Sequence, residues 1–176
     1  TACGCTDIMM HTMERYFARD GSMELTDAIA EGLLRTVMEN ARILLTDPKN
    51  YEARAEIMWA GSLSHNGLTG CGSDGGDWVC HRMEHEMGGL WDIAHGAGLS
   101  AIWGSWARFT YMENLDRFYR FATHVMDVEP NPAARDVVAM EGIGAVENFF
   151  REIGMPTSFH DLKLAPTDEE IKTLAK

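Results

Sequence analysis

The chain has 176 residues, and its 27 Asp and Glu outnumber 15 Lys and Arg for a formal net charge of −12. That balance argues against a nucleic-acid surface, because such surfaces neutralise phosphates with clustered cations. A hydrophobic content of 45% with a mean hydropathy of −0.20 excludes a disordered chain, and the longest run without a charged residue, 57–73, holds a His, an Asn and four Gly and is too short to span a bilayer.

In chain order, the first segment places Asp7 and His11 four residues apart among Ile8, Met9, Met10 and Met13. A second helix is predicted from a Thr26 N-cap, with Ile29, Leu33, Leu34, Val37, Ala41 and Leu44 at helical spacing, ending before Asp47-Pro48. Asn50 caps a third, whose apolar side carries Ala53, Ile57, Met58, Ala60 and Leu63. The stretch 67–77 holds Gly70-Cys-Gly-Ser-Asp-Gly75, a literal G-x-G-x-x-G. With no strand before it, a loop between helices is expected rather than a nucleotide fingerprint. Asn131-Pro132 reads as a helix start, Gly154-Met155-Pro156 as a stop, and Thr167 to Glu170 as a capping box. No segment alternates with period two, so one all-α domain over 1–176 is expected. The four cysteines form no Cys-x-x-Cys and suit reduced thiols in a cytoplasm, and no basic-then-apolar leader is visible, although Thr1 opens the chain without a Met.

The chemistry lies in the histidines. His81 and His85 repeat the i, i+4 spacing of Asp7 and His11, and His95 follows. On a helix such pairs sit about 40° apart around the axis and roughly 6 Å along it, close enough to converge on one ion. Their neighbours include Trp78, Val79, Met83, Met87, Leu90, Trp91 and Ile93. In such company an ionisable group is paired, neutral or metal-bound. Three imidazoles and a carboxylate suit Zn2+ or Fe2+. On one continuous helix His81 and His95 would stand about 21 Å apart, beyond the roughly 13 Å that two histidines on one ion allow. Joint ligation therefore requires a break, for which Gly88-Gly89 and Ala94-His95-Gly96 offer places.

Asp7-x-x-x-His11 followed by His81-x-x-x-His85 and His95-Gly96 resembles the metal-binding half of the iron-containing (group III) alcohol dehydrogenases. The segments Thr6 to Tyr16 and His85 to Leu99 are most similar to the butanol-dehydrogenase-like branch. The resemblance covers essentially the whole chain. It implies the helical C-terminal domain of the dehydroquinate synthase-like fold, with one divalent ion (Fe2+ or Zn2+) on Asp7, His11, His81 and His95. His85 then acts near the nicotinamide and substrate, in proton transfer or positioning, a division that spacing alone does not make. The implied reaction is NAD(P)-dependent interconversion of small alcohols and aldehydes or ketones, in a cytoplasmic enzyme that can form a homodimer and uses neither nucleic acid nor membrane. No NAD(P)-binding α/β half is present in this chain, so metal binding without turnover is expected of it.

His65 and Cys71 would flank the cleft, with helix packing favoured for His65, while His124 and His160 are expected at the surface. His81-Arg-Met-Glu84-His85 also fits the H-x-x-E-H zinc-peptidase pattern, which needs a distant Glu such as Glu147 or Glu152. A non-enzymatic helical metal-binding module is the other alternative. Its di-iron form needs Glu-x-x-His pairs, which this sequence lacks.

Overall fold

Helical periodicity predicts the architecture well. The computed structural model describes residues 1–18, 21, 23–73 and 75–174, and among them every regular element is helical. The α-helices are α1 (Ala2–Phe17), α2 (Glu24–Thr46), α3 (Tyr51–His65), α4 (Val79–Trp91), α5 (His95–Thr110), α6 (Leu115–His124), α7 (Arg135–Glu152) and α8 (Asp168–Leu174), with a 3-10 turn at Leu68–Gly70. None of these helices is long and apolar enough to cross a membrane.

Helix α1 forms the centre. Cys5, Met9, Met10, Met13 and Tyr16 are fully buried on it, against α2, α3 and α5. This helix is buried on most of its sides, its polar Thr6, Thr12, Glu14 and Arg15 included. Helix α2 presents a single stripe to it (Ala30, Leu33, Leu34, Val37, Met38, Ala41). Polar groups then pin α1, α2 and α6 together. Arg117 forks onto Asp27 with both bonds at 2.7 Å and lies 3.9 Å over the Tyr16 ring, while the Tyr16 hydroxyl donates to Glu31 at 2.8 Å. A bidentate pair satisfies both buried charges and fixes how the helices meet.

Two predicted caps hold. Asn50 accepts from the Ala53 amide at 3.0 Å, and Thr167 and Glu170 form their reciprocal capping box. Two predicted starts shift. Helix α2 begins at Glu24 and runs through Thr26, whose hydroxyl donates instead to the Cys71 carbonyl, 45 residues away. Asn131 closes a turn on the Ala133 amide, and α7 starts only at Arg135. Met58, assigned to the apolar side of α3, faces outward at 75% exposure. The Gly-rich segment forms the 3-10 turn and a loop with no strand before it; Asp74, inside its motif, lies outside the described residues.

The break between His81 and His95 is present, but Gly88-Gly89 does not make it. Helix α4 runs through both glycines to Trp91 and ends on Asp92 at φ +50°. His95 then opens α5 as a separate element. Directly after it, Gly96 lies against the start of α1, where a Cβ would come within 2.3 Å of the Cys3 carbonyl oxygen. Only a residue without a side chain lets α5 approach α1 that closely.

Candidate metal centre

Four helices supply the cluster. Asp7 and His11 come from α1, His65 from the last turn of α3, His81 and His85 from α4, and His95 from the first position of α5. Their focus is the Asp7 carboxylate. Its Oδ1 lies 3.3 Å from His81 Nε2, 3.4 Å from His95 Nε2 and 3.6 Å from His11 Nε2, and its Oδ2 lies 3.3 Å from His65 Nε2. The structure thus brings Asp7, His11, His81 and His95 together. Their donor atoms divide into close groups that share Asp7: one with His81 and His95, another with His11 and His65.

Two carboxylates stand behind the rings. Glu14, fully buried, meets His81 Nδ1, and Glu84 meets His95 Nδ1. Carboxylates only accept, so Nδ1 carries the proton in each ring, and Nε2 of the neutral ring turns a lone pair toward Asp7. Acceptors facing a carboxylate at 3.3–3.4 Å are stable only when something positive lies between them. Carboxylates on the outer ring nitrogen are also the usual support of metal-binding histidines.

The electrostatics agree. Burial disfavours the charged form of Asp7, but the hydrogen bond with His81 and the charges of His11, His95 and His65 outweigh it and bring the carboxyl down to about 2. Burial also opposes a charged His81, yet hydrogen bonds to Asp7 and Glu14 push this ring up to about 9. Without an ion, a proton on His81 therefore fills part of the gap between the carboxylates. His11 goes the other way. Burial, then His65 and His81, push it down to about 4, and its buried Nδ1 has no hydrogen-bond partner. A neutral imidazole with an unpartnered nitrogen, several inward lone pairs and an ionised carboxylate fit a divalent cation.

Glu14 has a second task. Helix α4 starts from Trp78, which holds φ +62° and caps nothing with its side chain. Glu14 Oε1 instead accepts from the amides of Cys80 at 2.7 Å and His81 at 3.4 Å. An anion from α1 thereby caps α4 and aims its first histidine in one contact. The strained Trp78 places its ring 5.2 Å from both His11 and His81, and so forms a wall of the site.

His85 lies one turn beyond His81, exposed, with its ring stacked 5.5 Å from His95. Beside Asp7 and His65 opens a cleft of about 460 Å3, lined by Ile8, Leu44, Ile57 and Met58 with Arg54 among them. His65 belongs to the cluster and not merely to helix packing, whereas His124 and His160 are exposed as expected. The peptidase arrangement finds no support, because Glu84 is engaged with His95, Glu147 with Arg108 and Glu152 with Arg42. Sequence reasoning missed Glu14, Glu84 as a partner of His95, and Trp78 as a wall. The available signal was Glu14 seven residues after Asp7, two turns along the same face.

Comparisons with known proteins cover the whole chain. The family model described as "Fe-containing alcohol dehydrogenase family, C-terminal" covers residues 1–176. NADH-dependent butanol dehydrogenase A of Clostridium acetobutylicum is 34% identical over 177 aligned residues, which take in 100% of this chain and 44% of that protein. The crystal structure of NADH-dependent butanol dehydrogenase A from Thermotoga maritima superposes with a TM-score of 0.91 at 36% identity, over 99% of this chain and 42% of the other. The aldehyde reductase YqhD of Escherichia coli gives a TM-score of 0.91 at 28% identity, over 99% and 46%. The chain therefore spans less than half the length of these relatives.

Proposed function

The chain belongs to the Fe-containing alcohol dehydrogenase family, and on that premise we propose that it is the helical, cation-holding half of an NAD(P)-dependent oxidoreductase acting on small alcohols and aldehydes or ketones. The observation that carries this reading is the convergence of histidine lone pairs on Asp7, each held from behind by a carboxylate at His81 and His95. Asp7, His11, His81 and His95 would hold the ion, and their nitrogen and oxygen donors suit Fe2+ or Zn2+. When bound, the ion supplies a Lewis acid toward the substrate oxygen.

The protein's own groups do the rest. Glu14 and Glu84 keep the His81 and His95 lone pairs inward. Ile8, Leu44 and Ile57 give the cleft an apolar wall that displaces water beside Asp7. His85, at the solvent side of the cluster, accepts or donates a proton on its imidazole or orients the nicotinamide. Exposed Met58 and Trp59 on α3 offer the cofactor-binding half an apolar face to close on. The matched relatives are more than twice as long as this chain, and by itself the chain is expected to bind metal without turnover.

Metal analysis of the purified chain tests this. One equivalent of Fe2+ or Zn2+ is expected, lost in Asp7→Asn and His81→Ala, with no NAD(P)H-dependent reduction of butyraldehyde. Unchanged metal content in Asp7→Asn would sink the site assignment, and turnover by this chain would sink the division of labour.

A further inference from the structure

Resting on the cation reading above, we propose that His65 is a fifth donor to the same ion, reaching it from the Oδ2 side of Asp7. His65 is the last residue of α3, and its ring nitrogens have unequal partners. Nδ1 lies 2.9 Å from the Gly61 carbonyl and 2.8 Å from Ser64 Oγ, while Ser64 Oγ itself donates to Gly61 at 3.0 Å. A carbonyl only accepts, and a hydroxyl that has given its hydrogen away accepts too, so the proton sits on Nδ1. Nε2 of the neutral ring then turns its lone pair on Asp7 Oδ2 at 3.3 Å. This repeats, on the other carboxylate oxygen, the acceptor-to-acceptor contact that His81 and His95 make with Oδ1.

His11 links the two sides. Its ring centroid lies 4.0 Å from that of His65 and 4.5 Å from that of His81. The donor atoms of Asp7, His11 and His65 are within 4.8 Å of one another. His65 also differs from the other donors in exposure. Its side chain is 43% accessible, against 38% for His95, 21% for His11 and 7% for His81, and of the four imidazoles it is the one that lines the cleft beside Asp7. It is therefore the donor on the side from which a substrate enters.

Titration of the purified chain with Co2+ as the probe, followed by its visible d–d absorption, tests the assignment. His65→Ala is expected to weaken Co2+ binding roughly tenfold or more and to alter the band shape and intensity, since both report the donor set. His65→Gln separates ligation from mere support. Its amide can still donate to Asp7 Oδ2 but brings no imidazole, so it should resemble His65→Ala. If His65→Gln keeps wild-type affinity and spectrum, or His65→Ala does, while His81→Ala loses Co2+, His65 is no ligand and this inference alone falls. If the wild-type chain takes up no Co2+, the metal-centre reading falls with it. Circular dichroism of each variant, matched to wild type, confirms that a loss belongs to the site.

Discussion

Replacing Glu14 with Gln separates its two tasks. The amide keeps an oxygen for the Cys80 amide, but it presents NH2 to His81 Nδ1, where the carboxylate now accepts. That nitrogen must then accept, so the ring proton moves to Nε2 and points at Asp7, where the lone pair for the ion was. In the metal-free protein His81 already gives an N–H to Asp7 Oδ1 and the variant keeps that bond, so stability should change by only about 1 kcal/mol. Metal affinity should fall about 10–100-fold, or about 1.4–2.7 kcal/mol, as for other supports of metal-binding histidines. With Zn2+ at about a thousand times the wild-type Kd, metal stabilises wild type by about 4.1 kcal/mol, and a hundredfold weaker variant by only about 1.4. For a chain of this size, the difference lowers the zinc-induced rise in melting temperature by about 5–11 °C. Melting curves with and without Zn2+, paired with competition against a chelator, read both quantities. A Glu14→Gln protein that melts much lower without metal yet binds Zn2+ within twofold of wild type would refute the argument, leaving Glu14 as a helix cap only.

Other outcomes follow from the same geometry. His81 is raised from 6.5 to about 9 in the folded protein, so its contribution is complete below pH 6.5 and lost as pH rises through 9. The melting temperature of the metal-free chain should fall across that window, and saturating Zn2+, which displaces the proton, should flatten the fall; a flat metal-free profile counts against the proton bridge. Gly96→Ala drives a Cβ into the Cys3 backbone and should cost about 1–3 kcal/mol or more in urea unfolding. Gly89→Ala, in α4 with open space around it, should instead stabilise by about 0.5–1 kcal/mol. Arg117→Ala removes both short bonds to the buried Asp27 carboxylate, leaving Arg120 at 3.8 Å, and should cost about 3–5 kcal/mol, measured by the same unfolding curves.

Local signals in the sequence were reliable where the structure answers them locally. Asn50 and the Thr167–Glu170 box cap their helices because their partners lie within three residues. Thr26 and Asn131 carry the same type of signal, but one side chain is claimed by a carbonyl across the fold and the other by its own turn. Helix propensity misjudged Gly88-Gly89 for a related reason, since α4 is held at its start by Glu14 and packed against α5. At the site, spacing offered Asp7 with His11 and His81 with His85 as pairs along one helix each, whereas the set Asp7, His11, His81 and His95 came from the family resemblance. What brings His65 to Asp7, or Glu84 to His95, is the angle at which different helices meet. That angle is set by packing such as Gly96 against Cys3, which no single segment records.

The cluster gathers residues from α1, α3, α4 and α5, so no early, local piece of the folding chain can contain it. Asp7 and His95 meet only once the two ends of an 88-residue span have closed. If contacts of such long range form after the rate-limiting barrier, a cation that binds them slows unfolding without hastening folding. The metal should therefore act as a latch on the finished protein. In stopped-flow experiments its presence would lower the unfolding limb of the chevron and leave the refolding limb in place.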